Sequence, residues 1–154
     1  MQDLVRKRAA ILDEWLEQTL ATYPSQTAGF FRNEKDRFRN PVGSTLKEGL
    51  ATLLDEITGE MDVEKIRPAM ESIVRMRAVQ DFTAAQATSF VFALREILNE
   101  SWEGGCPAAW QTRIDEVALL AFDLYTKCRE EIYQIKARTH QREVYVWERM
   151  SHRG

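Results

Sequence analysis

The chain has 154 residues, 44% of them apolar, enough for one domain with a proper core, which excludes a disordered chain. Twenty-one Lys and Arg against twenty-four Asp and Glu leave a net charge of −3, which argues against general coating of nucleic acid. Gly and Pro together number only eleven, few for a fold of many tight turns, so the composition points to an all-α protein.

Breakers divide the sequence into helical segments. From Asp3 to about Tyr23, Leu4, Ala9, Ile11, Leu12, Trp15, Leu16 and Leu20 fall at helical spacing, with Asp13, Glu14 and Glu17 opposite. Pro24 and Ser25 end this helix, and a charged helix is predicted over Thr27 to Phe38. The run Asn40-Pro41-Val42-Gly43 reads as a stop, in which Gly43 supplies a positive φ. Ser44 is then the predicted N-cap of a helix through Leu46, Leu50, Leu53, Leu54 and Ile57, with Gly59 as its C-cap.

Asp62 caps the next segment. Pro68 is tolerated near a helix start, so the regular helix is placed from Arg67 to Gln80, with Met70, Ile73, Val74 and Arg77 on one side. Thr83-Ala84-Ala85-Gln86 is a capping-box pattern that opens one helix through Phe90, Val91, Leu94, Ile97 and Leu98. Glu103-Gly104-Gly105-Cys106-Pro107 is the last loop, and neither Gly nor Pro recurs before Gly154.

A continuous helix from Ala109 to Arg149 would run roughly 60 Å. A compact chain of this length has a diameter of about 40 Å, so the helix is predicted to overhang its own domain. Two units follow, a helical domain over 1–106 and the long helix over 107–154. The first half of that helix reads as core through Val117, Leu120, Ala121 and Leu124. Further on, Tyr125, Cys128, Ile132, Ile135, Thr139, Arg142 and Val146 alternate by three and four, a heptad-like seam for a dimer partner. From Lys127 to Gly154 seven basic side chains face four acidic ones, against fourteen and twenty in the remainder. That asymmetry fits either a solvated helix or a docking face, carried by Lys136, Arg138, Arg142 and Arg149.

The search for chemistry returns little. Two cysteines without a CxxC exclude a zinc ribbon or thioredoxin-type site and read as two buried thiols. The two histidines, His140 and His152, fall in the overhang, where neither can ligate a core heme. Neither belongs to a Glu-x-x-His pair of the di-iron kind. Gly104-Gly105-Cys106-Pro107 lacks the Lys and Ser/Thr of a phosphate loop, and no G-x-S-x-G occurs. No catalytic residue, metal site or cofactor is therefore expected. The N-terminus carries charges where a signal peptide needs an apolar run, and no segment has the roughly 20 apolar residues of a membrane span. A soluble, cytoplasmic protein without membrane insertion is the expectation.

One segment is richer. Arg77 lies on the apolar side of its helix and is four residues from Asp81, so an Arg77–Asp81 ion pair is predicted to fix a helix–helix angle. The functional alternative is a ligand cavity lined by Arg77, Asp81, Phe82, Phe30, Phe31 and Phe90, with Phe38 and Phe92 nearby.

Trp15 to Leu50 and Arg67 to Leu98 together resemble the RsbRD N-terminal domain family, most specifically in Asn40-Pro41-x-Gly43 and Arg77-Ala78-Val79-Gln80-Asp81-Phe82. The resemblance implies a bacterial sensory or regulatory domain, dimeric and globin-like without heme. Such domains sit ahead of a STAS output module in stressosome co-antagonists of a switch kinase, or ahead of histidine-kinase modules. Here a long helix stands where an output module would begin, which marks a stand-alone member. Its Ala121-Phe122-Asp123-x-Tyr125-x-Lys127-Cys128-Arg129-Glu130 run resembles stand-alone members of anaerobic sulfur-metabolising bacteria. That likeness implies the alternative role of a cytoplasmic accessory to a membrane redox complex, without sensing. The primary expectation is a non-catalytic sensory homodimer, with a regulatory protein partner and no nucleic acid.

Overall fold

A computed structural model describes residues 2–152; Met1, Arg153 and Gly154, the last two of them the end of the predicted 107–154 unit, lie outside the described residues. Within them the chain forms seven α-helices and no strand: α1 (Gln2–Leu20), α2 (Ser25–Asn33), α3 (Pro41–Ile57), α4 (Val63–Val79), α5 (Ala84–Thr88), α6 (Phe90–Ser101) and α7 (Ala108–Ser151). The fold is all-α. Helices α3, α4 and α7 pack side by side, while α1 lies across α3 and α6. The predicted apolar stripes meet in one core around Trp15, Leu50, Leu54, Ile73, Leu94 and Val117. Trp15 is fully buried, and its indole N–H donates to the Phe90 carbonyl at 2.7 Å, so its polar atom is satisfied.

The start of α3 differs from the sequence reading for a clear reason. Asn40, not Ser44, is the N-cap, and Pro41 occupies the first turn, where its missing N–H costs nothing. The Asn40 Oδ1 accepts from the Gly43 N–H at 2.9 Å, while its Nδ2 donates to the carbonyls of Phe31 (2.9 Å) and Glu34 (3.0 Å). One buried side chain thus joins the end of α2 to the start of α3. Gly43 is helical, not left-handed; a Cβ there would collide with the Asn40 side chain and the Phe31 carbonyl. Helix α2 consequently stops at Asn33, short of the predicted Phe38, which is exposed.

Three further boundaries move. Arg113 of α7 donates to the carbonyls of Ile57 (2.8 Å) and Gly59 (2.9 Å), closing α3 with a cation at its C-terminal end. The left-handed residue of that turn is Met61, at φ 58°, rather than Gly59, whose added Cβ would lie 2.6 Å from the Asp55 carbonyl. Helix α4 begins at Val63 behind the Asp62 cap and continues through Pro68, four residues earlier than predicted. The Thr83–Gln86 capping box is present, but α5 and α6 are separated at Ser89 instead of forming one helix.

Helix α7 is one uninterrupted rod of 44 residues, about 65 Å long. Its first half enters the core through Ile114, Val117, Ala118, Ala121, Leu124, Tyr125 and Cys128. Ile132 is the last apolar residue packed on that core, and every described residue from Arg138 onward is exposed. The remaining twenty or so residues extend about 30 Å beyond the core.

Candidate functional site

Arg77, in the last turn of α4, is fully buried and has no carboxylate partner. The predicted pairing with Asp81 does not form. Helix α4 ends at Val79, and Asp81 takes the left-handed conformation at φ 61°, so the one-turn geometry that the spacing assumes is absent. Asp81 turns instead to α7.

The Arg77 guanidinium is held by backbone oxygens of two other elements. Nη1 donates to the Gln86 carbonyl of α5 at 3.1 Å, and Nη2 donates to the Thr19 carbonyl of α1 at 3.2 Å and to Thr22 Oγ1 at 3.4 Å. Nε has no partner. The rings of Phe82, Tyr23 and Phe90 surround the cation, with centroids 4.8, 5.6 and 5.6 Å from Cζ. Burial pushes the Arg77 pKa below its ordinary value, with Tyr23 acting in the opposite direction. A guanidinium stays charged under such a shift, so carbonyl dipoles and ring faces carry its compensation.

The same corner is bonded to α7 where that helix leaves the core. Arg129 donates from Nη1 to the Ala78 carbonyl at 3.0 Å and to Asp81 Oδ1 at 3.2 Å. The Tyr125 hydroxyl donates to the Phe82 carbonyl, and Tyr23 donates to Gln80 Oε1 at 2.7 Å. Burial raises the Tyr23 pKa against the pull of Arg77 and Gln80. The segment Arg77 to Phe82 therefore meets α1, α5 and α7 through named bonds.

Of the six residues assigned to a ligand cavity, the structure brings together Arg77, Phe82 and Phe90. Phe31 joins them at one remove, its ring edge-on to Tyr23 at 5.0 Å. Asp81 faces away, and Phe30, Phe38 and Phe92 are exposed. Thr19, Thr22, Tyr23 and Gln86 are the members that sequence reasoning missed. Thr19 and Gln86 act mainly through backbone carbonyls, which no residue type announces; the aromatic Tyr23, in the turn after α1, was the one available signal. Two surface grooves lie elsewhere, between α3 and α4 beside Gly49 and Ala69, and between α6 and α7 beside Phe92 and Leu119.

The predicted partner seam divides in two. Tyr125 and Cys128 are buried inside the subunit and Ile132 is half-buried, so these three are already covered by the chain's own core. Ile135, Arg142 and Val146 are exposed, together with Tyr133, Val144, Tyr145, Trp147 and Met150. Among the described residues, no ion pair engages Lys136, Arg138, Arg142 or Arg149. Among them too, no three His, Cys, Asp or Glu side chains gather as a metal site, and no helix is long and apolar enough to cross a membrane.

The family model described as the RsbT co-antagonist protein rsbRD N-terminal domain matches residues 9–140. No curated protein and no solved structure matches. The matched span takes in the Asn40 junction, the whole Arg77–Phe82 corner and α7 as far as His140. The chain belongs to the RsbT co-antagonist protein rsbRD N-terminal domain family.

Proposed function

We propose that this domain is a non-catalytic sensory or regulatory module of bacterial signal transduction, which works as a homodimer and transmits a change of state by moving α7. The family is one of signalling, sensor-type domains, which supports the general class. The observation that carries the reading is the bonding of the α4–α5 corner to α7 through Tyr125 and Arg129, at the exit of that helix from the core. A buried cation with one unpartnered donor sits behind the same corner, so a small change at Arg77 is placed to reach α7. Two packings of α7 against the corner would be the two states, biased by a small ligand or a protein partner. The cytoplasmic setting and the heme-less globin-like arrangement belong to this proposal.

Hydrogen exchange on the full chain tests it. Arg77→Met is expected to speed exchange of α7 amides around residues 125–135, beyond its direct contacts. Unchanged exchange there would sink the coupling. Light scattering at tens of micromolar is expected to give a dimer mass, and a strict monomer would remove the dimer.

A second reading, a docking accessory without sensing, is favoured by one observation. Lys136, Arg138, Arg142 and Arg149 are exposed on the overhang without ion-pair partners among the described residues. Deleting residues after Ile135 separates the two readings: loss of a partner with the dimer intact favours docking, and loss of the dimer favours signalling.

A further inference from the structure

The overhang of α7 has two chemically different sides. At about 100° per residue, Arg138, Arg142 and Arg149 fall within an arc of about 40°. Ile135, Tyr145 and Val146, all exposed, flank that arc within about 60° of its centre. The acids of the overhang, Glu143 and Glu148, stand roughly 100–120° from the centre, and Lys136 lies farther round still. Tyr133, Val144 and Trp147 are roughly 140–160° away, so a contact made through them leaves the arginine side free.

These arginines differ from the others in the chain. Of the eleven up to Arg129, seven lie in ion pairs, and Arg77 and Arg113 donate to backbone carbonyls. Arg138, Arg142 and Arg149 have no acid three or four residues away in either direction. Among the described residues none of the three has an ion-pair partner. Arg138 and Arg142 are one turn apart, a like-charge spacing that destabilises an isolated helix. A solvated face gains from interleaved opposite charges, so three aligned arginines are unfavourable until carboxylates come between them. Glu131, the nearest acid on this side, is taken by Arg75 of α4 at 3.1 Å. The Arg149 guanidinium lies 5.6 Å from the Tyr145 ring centroid, and with Val146 and Met150 the two border a shallow recess of about 250 Å³.

We infer that this side of the overhang binds an acidic amphipathic helix of a second protein, whose carboxylates recur at spacings of four and seven residues. Arg138 to Arg149 spans about 16 Å, so carboxylates at matching spacings on a helix packed alongside reach one arginine each. Apolar side chains beside those carboxylates cover Ile135, Tyr145 and Val146. A nucleic acid fits less well. Its phosphate backbone offers nothing to the apolar flanks, and the chain before Lys127 carries fourteen basic against twenty acidic residues. A lipid surface needs the apolar residues gathered on one side of the helix, whereas here they lie on both. The inference rests on the docking reading above and names the partner's chemistry.

Binding by the full chain tests it. The probe is a fluorescein-labelled helical peptide with Glu at those spacings and Leu beside them, titrated at low salt and followed by anisotropy. The triple variant Arg138→Gln, Arg142→Gln, Arg149→Gln is expected to weaken binding about tenfold or more. The triple variant Lys35→Gln, Arg67→Gln, Lys136→Gln removes the same charge from exposed positions elsewhere, and should stay within about twofold of wild type. Equal weakening by both would reduce the effect to net charge and overturn the inference, as would no binding by the wild-type chain. Tighter binding of a single-stranded oligonucleotide of equal charge, or of phosphatidylserine vesicles, would overturn the choice of partner. A chain ending at Ile135 separates this inference from the docking reading, and it keeps the whole core, since Ile132 is the last apolar residue packed there. If that chain loses the peptide while the arginine variant keeps it, docking through the overhang stands and the arginine side falls. If it still binds the peptide, both fall.

Discussion

Arg129 reaches across from α7 to Asp81, the residue with left-handed φ at the α4–α5 corner, and donates to its carboxylate at 3.2 Å. Both side chains are well exposed, so the ion pair contributes little by itself. What shapes the corner is the backbone, where the Asp81 N–H donates to the Ala78 carbonyl and the Phe82 N–H to that of Arg77. Asp81→Ala keeps a Cβ in the left-handed region and removes the side chain that tolerates it, whereas Asp81→Gly relieves the strain. Thermal unfolding is expected to rank Asp81→Gly above Asp81→Ala by about 1 kcal/mol. Equal stabilities would mean the corner is not held in that conformation.

Arg77 combines a buried stem with a cation that has no carboxylate. Arg77→Ala leaves a cavity and strands the carbonyls of Thr19 and Gln86, for a loss of about 3–5 kcal/mol. Arg77→Met keeps most of the volume and also removes the cost of a buried charge, so its loss should be about 1–3 kcal/mol. Urea unfolding checks the order. A methionine variant as unstable as the alanine one would show that the charge, rather than the packing, dominates.

The Asn40 junction makes a paired prediction. Asn40→Ala removes the cap of α3 and the donor to the Phe31 and Glu34 carbonyls at a buried position, an expected loss of about 2 kcal/mol. Gly43→Ala would ordinarily gain about 1 kcal/mol in a helix interior. Here the added Cβ meets the Asn40 side chain and the Phe31 carbonyl, so the sign reverses and the variant is less stable than wild type. Thermal melts of the two variants measure both effects.

Burial pushes both thiols, Cys106 and Cys128, above their ordinary pKa, against the pull of Arg95 and Arg75 respectively. The unfolded chain therefore releases these protons first as pH rises past about 8.5, and the folded form loses stability from that point upward. Below that pH the contribution is fully present. The urea midpoint is expected to fall between pH 8 and pH 9.5, and to fall less when both cysteines are replaced by Ala. An identical fall in the two proteins would assign the effect to other groups.

Punctuation and periodicity carried much of the fold. The Asp62 cap, the Thr83–Gln86 capping box, the loop at Gly104-Gly105 and the unbroken helix after Pro107 are local events written in adjacent residues. The Ser44 assignment failed because Asn40 serves two distant carbonyls as well as its own helix, and that non-local bonding outweighs local spacing. The Arg77–Asp81 pair failed because spacing of four has meaning only inside a helix, and α4 ends between the two residues. The seam from Tyr125 to Val146 has one periodicity but two environments. An apolar repeat states that a face needs cover, and cannot state whether the subunit or a partner supplies it.

Tyr125 offers the sharpest test of how the corner is joined to α7. Its ring is buried in the core and its hydroxyl donates to the carbonyl of Phe82, the residue whose own ring lies over Arg77. Tyr125→Phe keeps the ring and deletes this one bond, leaving a carbonyl short of its donor, so the expected loss is about 1–2 kcal/mol. Tyr145→Phe, further along the same helix at an exposed position, removes a similar hydroxyl from water and is expected to change stability by less than about 0.5 kcal/mol. Hydrogen exchange adds the functional half of the comparison, since only Tyr125→Phe should loosen the amides around Phe82. If both variants behave alike, the hydroxyl bond does not fasten α7 to the corner, and motion at Arg77 would need another route to the overhang.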